Sequence, residues 1–426
     1  MNNQHPDHIV VIGAGASGLM IARELGRAGR RVTILEARNR CGGRICPLPT
    51  EQFGYPAEGG AEFVHGEAPV TRSLLREAGL SLLSVQGTQW TMQDGSFSRG
   101  RPDPHESQLH QALKELSADL PVEAFLRRYF ARPEYDRLRH SILRMVQGYD
   151  AADPSRASTL ALRDEWMSGG RAEQARIVGG YRALIEFLTE ECRRQGTQIN
   201  MGIEVRAIES AGRQLVIRSV NGDGLVGDVA VVTAPLPLLH EIALPWEARE
   251  KAAAAAHIGF GNVIKVLLRF EKRWWTDIDG RDLSDMSFLL SDARIPVWWT
   301  QFPAERPVLT GWFGGPKTQA IAHLAEDELI EMGLTSLSDI FAMSTNDLRS
   351  MLVEAWARNW GNDPFSRGAY SYATPETRKA QSALSSSEES AVLFSGEALY
   401  SGPDMGTVEA ALASGLETAR GILASG

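Results

Sequence analysis

Apolar positions change period several times along this chain. Residues 9–12 form a short unbroken β-branched run, the pattern of a strand covered on both faces. Gly13-Ala14-Gly15-Ala16-Ser17-Gly18 follows, then Leu19, Ala22, Leu25 and Ala28 at helical spacing, with Gly29 closing the helix and a second strand at residues 32–36. Strand, glycine turn, helix and strand in that order predict the opening of a parallel dinucleotide-binding sheet.

From residue 82 to 176 the texture becomes helical, as at 108–120 and 122–130, without strand alternation. Gly179-Gly180 then leads into a helix through Leu184 and Leu188 and strand-like runs at 198–207, 214–219 and 228–234. Beyond Pro235 and Pro237 strands are predicted at 263–270, 286–290 and 307–313, and helices at 322–331 and 347–354. The chain closes with a strand at 391–395 and a helix at 406–423.

The expected fold is therefore α/β. A Rossmann-like nucleotide-binding domain is assembled from three segments (1–81, 177–235 and 385–426). An α+β substrate-binding domain (82–176 and 236–384) has a mixed sheet and a helical insert. No internal repeat or low-complexity tract interrupts this organisation.

Composition narrows the function classes. The 426 residues are 43% hydrophobic and 23% charged, and no stretch approaches the roughly 20 apolar residues of a membrane span. A formal net charge of −9 argues against a nucleic-acid partner and is compatible with a cationic substrate. Three cysteines, Cys41, Cys46 and Cys192, form no CxxC pair, so neither a disulfide scaffold nor a zinc site is indicated. With a short polar lead that leaves no room for an export signal, the chain is expected in a reducing cytoplasm.

In the glycine turn, Gly13 permits the tight bend, Gly15 lets backbone approach a pyrophosphate, and Gly18 lets the helix pack closely on the sheet. The helix start at Ala16-Ser17 faces the anion. Glu36 ends the second strand at the spacing of a ribose-binding carboxylate. The bare glycine pattern has a structural reading as a simple turn; the flanking strand, helix and acid favour dinucleotide binding. No HExxH, no GxSxG elbow with partners, no P-loop and no paired-histidine metal spacing occurs.

The run Ala37-Arg38-Asn39-Arg40-Cys41-Gly42-Gly43-Arg44 resembles the second pyrophosphate motif of the flavin-containing amine oxidase family, which includes monoamine oxidases, polyamine oxidases and lysine-specific demethylases. Adjacent glycines followed by arginine supply amides and a fixed cation where two phosphates need neutralising. The resemblance continues at Glu58-Gly59-Gly60-Ala61-Glu62-Phe63-Val64-His65-Gly66. This looks like the segment whose small residues lie against the isoalloxazine ring, with Phe63 where polyamine oxidases usually carry Trp. It extends to Trp360 through Ser371, and to the closing stretch from Gly396-Glu397 to Gly406-Thr407-Val408.

The resemblance implies FAD as cofactor, held by Gly13, Gly15, Ala16, Ser17, Gly18, Glu36, Ala37, Arg38, Gly43, Arg44, Gly60, Ala61, Glu62, Val205, Trp360, Gly396, Glu397, Thr407 and Val408. Lys265 would reach flavin N5 through a water, Tyr370 would form an aromatic wall of an amine cage, and Phe63, His65 and Thr407 would line the substrate pocket. Apart from the resemblance, Lys265 lies on an otherwise apolar strand and needs either a partner or a route for its head to solvent. His65 reads equally as a packed structural histidine.

Two departures refine the picture. Ala369 stands where mitochondrial monoamine oxidases attach flavin through cysteine, implying noncovalent FAD. Thr407 replaces the second tyrosine of their two-walled cage. The reaction implied is hydride transfer from an amine α-carbon to flavin, with the imine hydrolysing to a carbonyl and O2 reoxidising the flavin to give H2O2. Alternatives are a desaturase or protoporphyrinogen-oxidase-like C–C dehydrogenation, an L-amino-acid oxidase using Arg367 or Arg171 for the carboxylate, and a non-catalytic nucleotide-binding carrier. The partners implied are a small amine and O2, with no nucleic acid and no membrane; a homodimer is left open.

Overall fold

The computed structural model describes residues 8–99, 103–167, 174–386 and 390–425. Its first sheet has five strands, in the order Val392–Phe394, Val229–Val232, His8–Ile12, Arg31–Glu36 and Gln198–Met201, all parallel. Every residue of the central His8–Ile12 strand is buried, because a parallel strand inside such a sheet is covered on both faces. On one face the helices Ala16–Arg27, Gly180–Arg194 and Val408–Ala424 share a core through Leu19, Leu184 and Leu412. On the other, the antiparallel strands Val205–Ala211, Gln214–Ser219 and Gly224–Gly227 cover Val10, Ile12 and Leu35.

The second sheet has seven strands, ordered Leu352–Asn359, Val263–Phe270, Val308–Gly314, Val297–Trp299, Met286–Ser291, Thr88–Gln93 and Ser96–Arg99. It is mixed because Met286–Ser291 runs parallel to Thr88–Gln93 while the other pairs are antiparallel. Ile264, Val266, Leu268 and Phe270 pack into a core with Leu334 and Leu337 of the helix Glu326–Phe341. The strand period of two then turns Lys265 and Leu267 to the opposite face. Paired positions share a face, and Lys265 pairs Trp312, Thr310 pairs Trp299, and Trp299 pairs Phe288. One lysine and three aromatic residues therefore stand on the same side of this sheet.

Several expected elements differ. The stretch 82–176 is not helical throughout: Leu82–Ser84, Thr88–Gln93 and Ser96–Arg99 are strands, and the helices are Glu106–Glu115, Val122–Tyr129, Asp136–Gly148 and Thr159–Met167, around a core of their own. Leu82–Ser84 and Ser96–Arg99 lie at sheet edges, and Thr88–Gln93, although paired on both sides, buries only Trp90, so these strands carry little apolar alternation. The run 198–207 breaks at Gly202 (φ 70°) into two strands belonging to different sheets. The helix expected at 347–354 ends at Ser350, and Leu352–Asn359 is an edge strand whose half-exposed Trp356 and Arg358 masked its pattern. The helix expected at 322–331 starts at Glu326, where Glu328 accepts from the Ala325 N–H, and runs to Phe341.

Candidate active site

Between the two sheets lies a cavity of about 790 Å³, reaching from the glycine turn at Gly13 to the aromatic face of the seven-stranded sheet. At the turn, the Gly13 N–H donates to Leu35 O at 2.8 Å. A Cβ on Gly18 would sit 2.0 Å from Gly13 O, so only glycine lets the helix start here. The helix Ala16–Arg27 has no side-chain cap, which leaves its first amides and positive end facing the cavity beside Gly15, Ala16 and Ser17. Glu36 is buried and accepts from the Ala14 and Arg38 amides at 2.7 and 2.8 Å, which aims its carboxylate along the strand end.

The second loop is bound to the first: Gly42 N–H donates to Ala14 O at 2.8 Å. Arg40, which the sequence did not single out, shapes that loop by donating to the carbonyls of Cys41, Gly43 and Ile45. Arg38 donates to both Asp363 oxygens, at 3.1 and 2.5 Å, and to Ser366, and it lies over the Phe365 ring. Burial would raise the Asp363 carboxyl, but its bonds and charge pairing with Arg38 hold it below the ordinary value. Arg44 donates to Ala369 O and Glu397, whose carboxylate also takes the Ser371 hydroxyl. Ala37, Gly43, Val205, Trp360, Gly396, Thr407 and Val408 all line the same cavity, and the Thr407 hydroxyl caps the last helix at Ala410 N–H.

The other end is made of side chains. Lys265, with 0% exposure in its strand, donates to Gly60 O at 3.0 Å and to Glu62 Oε2 at 2.9 Å. Glu62 Oε1 accepts from Arg176 at 2.9 Å and Gln301 at 3.0 Å, and Trp299 Nε1 stands 3.1 Å from both oxygens. Burial alone would raise the Glu62 carboxyl; the charges of Lys265 and Arg176 with the bonds from Lys265 and Gln301 outweigh it and bring it to about 2. Glu58, four residues earlier, is also buried, at the start of the helix Gly180–Arg194; burial pushes it up to about 8, although Lys265 and the backbone amides of Tyr181 and Arg182 pull it down.

Aromatic rings continue from there. Phe63 meets Trp299 and Phe288 at 5.6 and 5.8 Å between centroids, and Trp299 meets Trp312 at 5.6 Å. Trp312 stacks on Tyr370 at 6.4 Å and 19°. The Tyr370 hydroxyl donates to Tyr149 O, while Tyr149 OH and His65 Nδ1 lie 3.2 Å apart. Burial, then Asp150, Tyr149 and Glu165, keep the Tyr370 phenol well above its ordinary value and so neutral.

Lys265, Tyr370, Phe63, His65 and Thr407 thus line one cavity. Trp299, Trp312, Phe288, Tyr149 and Arg176 were missed; strand pairing with Lys265 would have exposed the first three, but the pairing itself is not legible. Arg367 sits outside the cavity lining, 3.4 Å from Glu241, and Arg171 lies outside the described residues. Among the described residues no cluster of His, Cys, Asp or Glu could hold a metal ion, and no helix is long and apolar enough to cross a membrane.

A cradle of glycines and an uncapped helix start at one end, and a buried cation among aromatic rings at the other, line one continuous cavity. Residues 16–423 match the flavin containing amine oxidoreductases, and the chain belongs to that family of flavoenzymes acting on amines. It is similar to probable polyamine oxidase 4 of Arabidopsis thaliana, at 25% identity over 87% of this chain and 78% of that one. It is also similar to human lysine-specific histone demethylase 2, at 24% identity over 92% of this chain and 51% of that one. Its fold superposes on putrescine oxidase bound to putrescine (TM-score 0.76, 18% identity, 99% of both chains). Cyclohexylamine oxidase from Brevibacterium oxydans is comparable (TM-score 0.79, 19% identity, 98% of both chains).

Proposed function

We propose that the chain binds FAD noncovalently and oxidises a primary or secondary amine, with O2 as electron acceptor and H2O2 as product. The observation that carries this reading is the continuity of the cavity from the Gly13–Gly18 turn to the rings beside Lys265. The residues fit the cofactor. A Cβ at Gly15 would meet open space, leaving backbone room against a pyrophosphate, whereas one at Gly60 would sit 1.9 Å from Arg44 O, so this loop can lie flat only without side chains. In this reading segments 1–81, 177–235 and 385–426 bind the cofactor, and 82–176 and 236–384 shape the substrate pocket.

When bound, FAD supplies the hydride acceptor for the amine α-carbon. The protein orients and desolvates: Phe63, Trp299, Trp312 and Tyr370 exclude water and hold the neutral amine against their faces. His65 and Thr407 line the same pocket, and Lys265 presents an N–H to a water there for hydrolysis of the released imine. Ala369, at the position that resembles the covalent attachment site, offers no nucleophile, so acid precipitation is expected to leave the protein colourless and the yellow flavin in solution.

Anaerobic bleaching of the bound flavin by a panel of mono-, di- and polyamines and amino acids tests the reading; amines should bleach it. Arg144 lines the cavity and keeps an amino-acid substrate as a second reading, which bleaching by amino acids alone would favour. Lys265→Met is expected to slow flavin reduction or reoxidation at least about tenfold, roughly 1.4 kcal/mol. Unchanged rates in both half-reactions would remove the lysine from the mechanism.

A further inference from the structure

The Glu62 carboxylate meets only donors: an ammonium, a guanidinium, an indole N–H and an amide NH2. A carboxyl that kept its proton would leave one of those donors without an acceptor, so this one is ionised. Arg176 on its far side is itself anchored, donating to Thr300 O at 2.9 Å and Phe302 O at 3.1 Å, with its guanidinium 4.6 Å from the Phe63 ring centre. The carboxylate is therefore fixed from behind and has one direction left in which to hold Lys265.

The lysine in turn is bound by two acceptors, Gly60 O and Glu62, with the Trp299 ring 5.3 Å from Nζ. An ammonium has three N–H groups; two are taken by Gly60 O and Glu62, and the third is left for the Trp299 face or for a group in the cavity that Lys265 lines. Buried cations are retained only where paired and hydrogen-bonded. Two cations, Lys265 and Arg176, share the one carboxylate of Glu62. Of these two cations, Lys265 is the one that lines the cavity.

We propose that Glu62, braced by Arg176, is a positioning residue that holds Lys265 as an ammonium ion at the Gly60–Ala61 backbone, giving the flavin site a fixed positive charge and not a base. The inference rests on FAD occupying this cavity. Glu62 touches Lys265, Arg176, Gln301 and the Trp299 indole and acts on the site through the lysine; no proton leaves Lys265 during turnover in this scheme.

The test uses the FAD-loaded protein and sulfite, a probe that adds reversibly to oxidised flavin and binds more tightly where a fixed cation lies nearby. In the parent protein Lys265→Met should weaken sulfite binding about tenfold, and in a Glu62→Gln background the same substitution should weaken it less than about threefold, because the lysine is no longer held in place. Equal effects of Lys265→Met in both backgrounds would overturn the proposal, as would a parent protein whose sulfite affinity ignores Lys265. Should Glu62→Gln fail to retain flavin, Glu62→Asp replaces it, since it keeps the charge but withdraws the carboxylate by one methylene; a smaller effect of Lys265→Met in that background supports the proposal and an equal effect overturns it. Colourless parent protein that ignores added FAD would instead sink the functional reading itself.

Discussion

The two ends of the cavity are built from different materials. The end at Gly13–Gly18 is mostly backbone: amides, carbonyls and a helix start, locked by glycine close approaches and by Arg40 gripping three carbonyls. The end at Lys265 is mostly side chain, a buried charge cluster and a run of rings brought from the loop 58–66, the strand around Arg176 and four strands of the seven-stranded sheet. Backbone sites are written in contiguous motifs, because local geometry makes them. Side-chain sites are assembled by tertiary pairing, and their members are free to vary one at a time, which suits a pocket that must select among amines.

That contrast can be broken first at Gly60, where both ends meet. Gly60→Ala would place a Cβ 1.9 Å from Arg44 O, and flavin bound after purification, read from visible absorbance, should fall below about a tenth of the parent value. Retention of full colour would mean that the loop is not shaped by contact. At the side-chain end, Tyr370→Ala should lower kcat/KM by about thirtyfold, roughly 2 kcal/mol, chiefly through KM, while leaving flavin content unchanged. If colour were lost instead, Tyr370 would belong to the cofactor cradle and the contrast would blur.

The smallest expected effect separates Glu58 from Glu62, two buried carboxyls on one loop with opposite fates. Glu58 is raised from 4.5 to about 8, so the folded protein holds a proton that the unfolded chain releases; its contribution is fully present below pH 4.5 and is lost as pH rises toward 8. Glu62, lowered to about 2, works the other way, contributing above pH 4.5 and losing that contribution only in strong acid. Denaturant midpoints between pH 5 and 8 should therefore fall less steeply in Glu58→Gln than in the parent, by up to about 1 kcal/mol per pH unit. Identical slopes would show that Glu58 is ionised and capping the helix that begins at Gly180.

Much of the nucleotide end is legible in the sequence. The strand His8–Ile12 follows from the apolar run 9–12, the helix Ala16–Arg27 from its apolar spacing, and the strand Val263–Phe270 from an apolar run broken only by Lys265 and Arg269, with burial along both strands complete or nearly so. Lys265 stands out because a charge interrupts such a run, and its need for a partner follows from that alone. That the partner is Glu62 does not, since 203 residues separate them and only the fold brings the loop over the strand. Ser96–Arg99 and Leu352–Asn359 escape notice for a related reason: edge strands keep polar residues on their open side. The aromatic wall stays hidden because Trp298 and Trp299 are adjacent yet face opposite sides, one into the core and one into the cavity, and which is which depends on register.

The parallel sheet also constrains how the molecule is made. Its strands are drawn from residues 8–36, 198–232 and 392–394, and the last of these seals the open edge of Val229–Val232. During synthesis that edge waits, unpaired, for about 160 further residues to emerge, and contacts across such separations form slowly. A nascent chain halted shortly before residue 392 would carry most of its mass but lack both the closing strand and the helix Val408–Ala424, leaving apolar surface bare for chaperones or for aggregation.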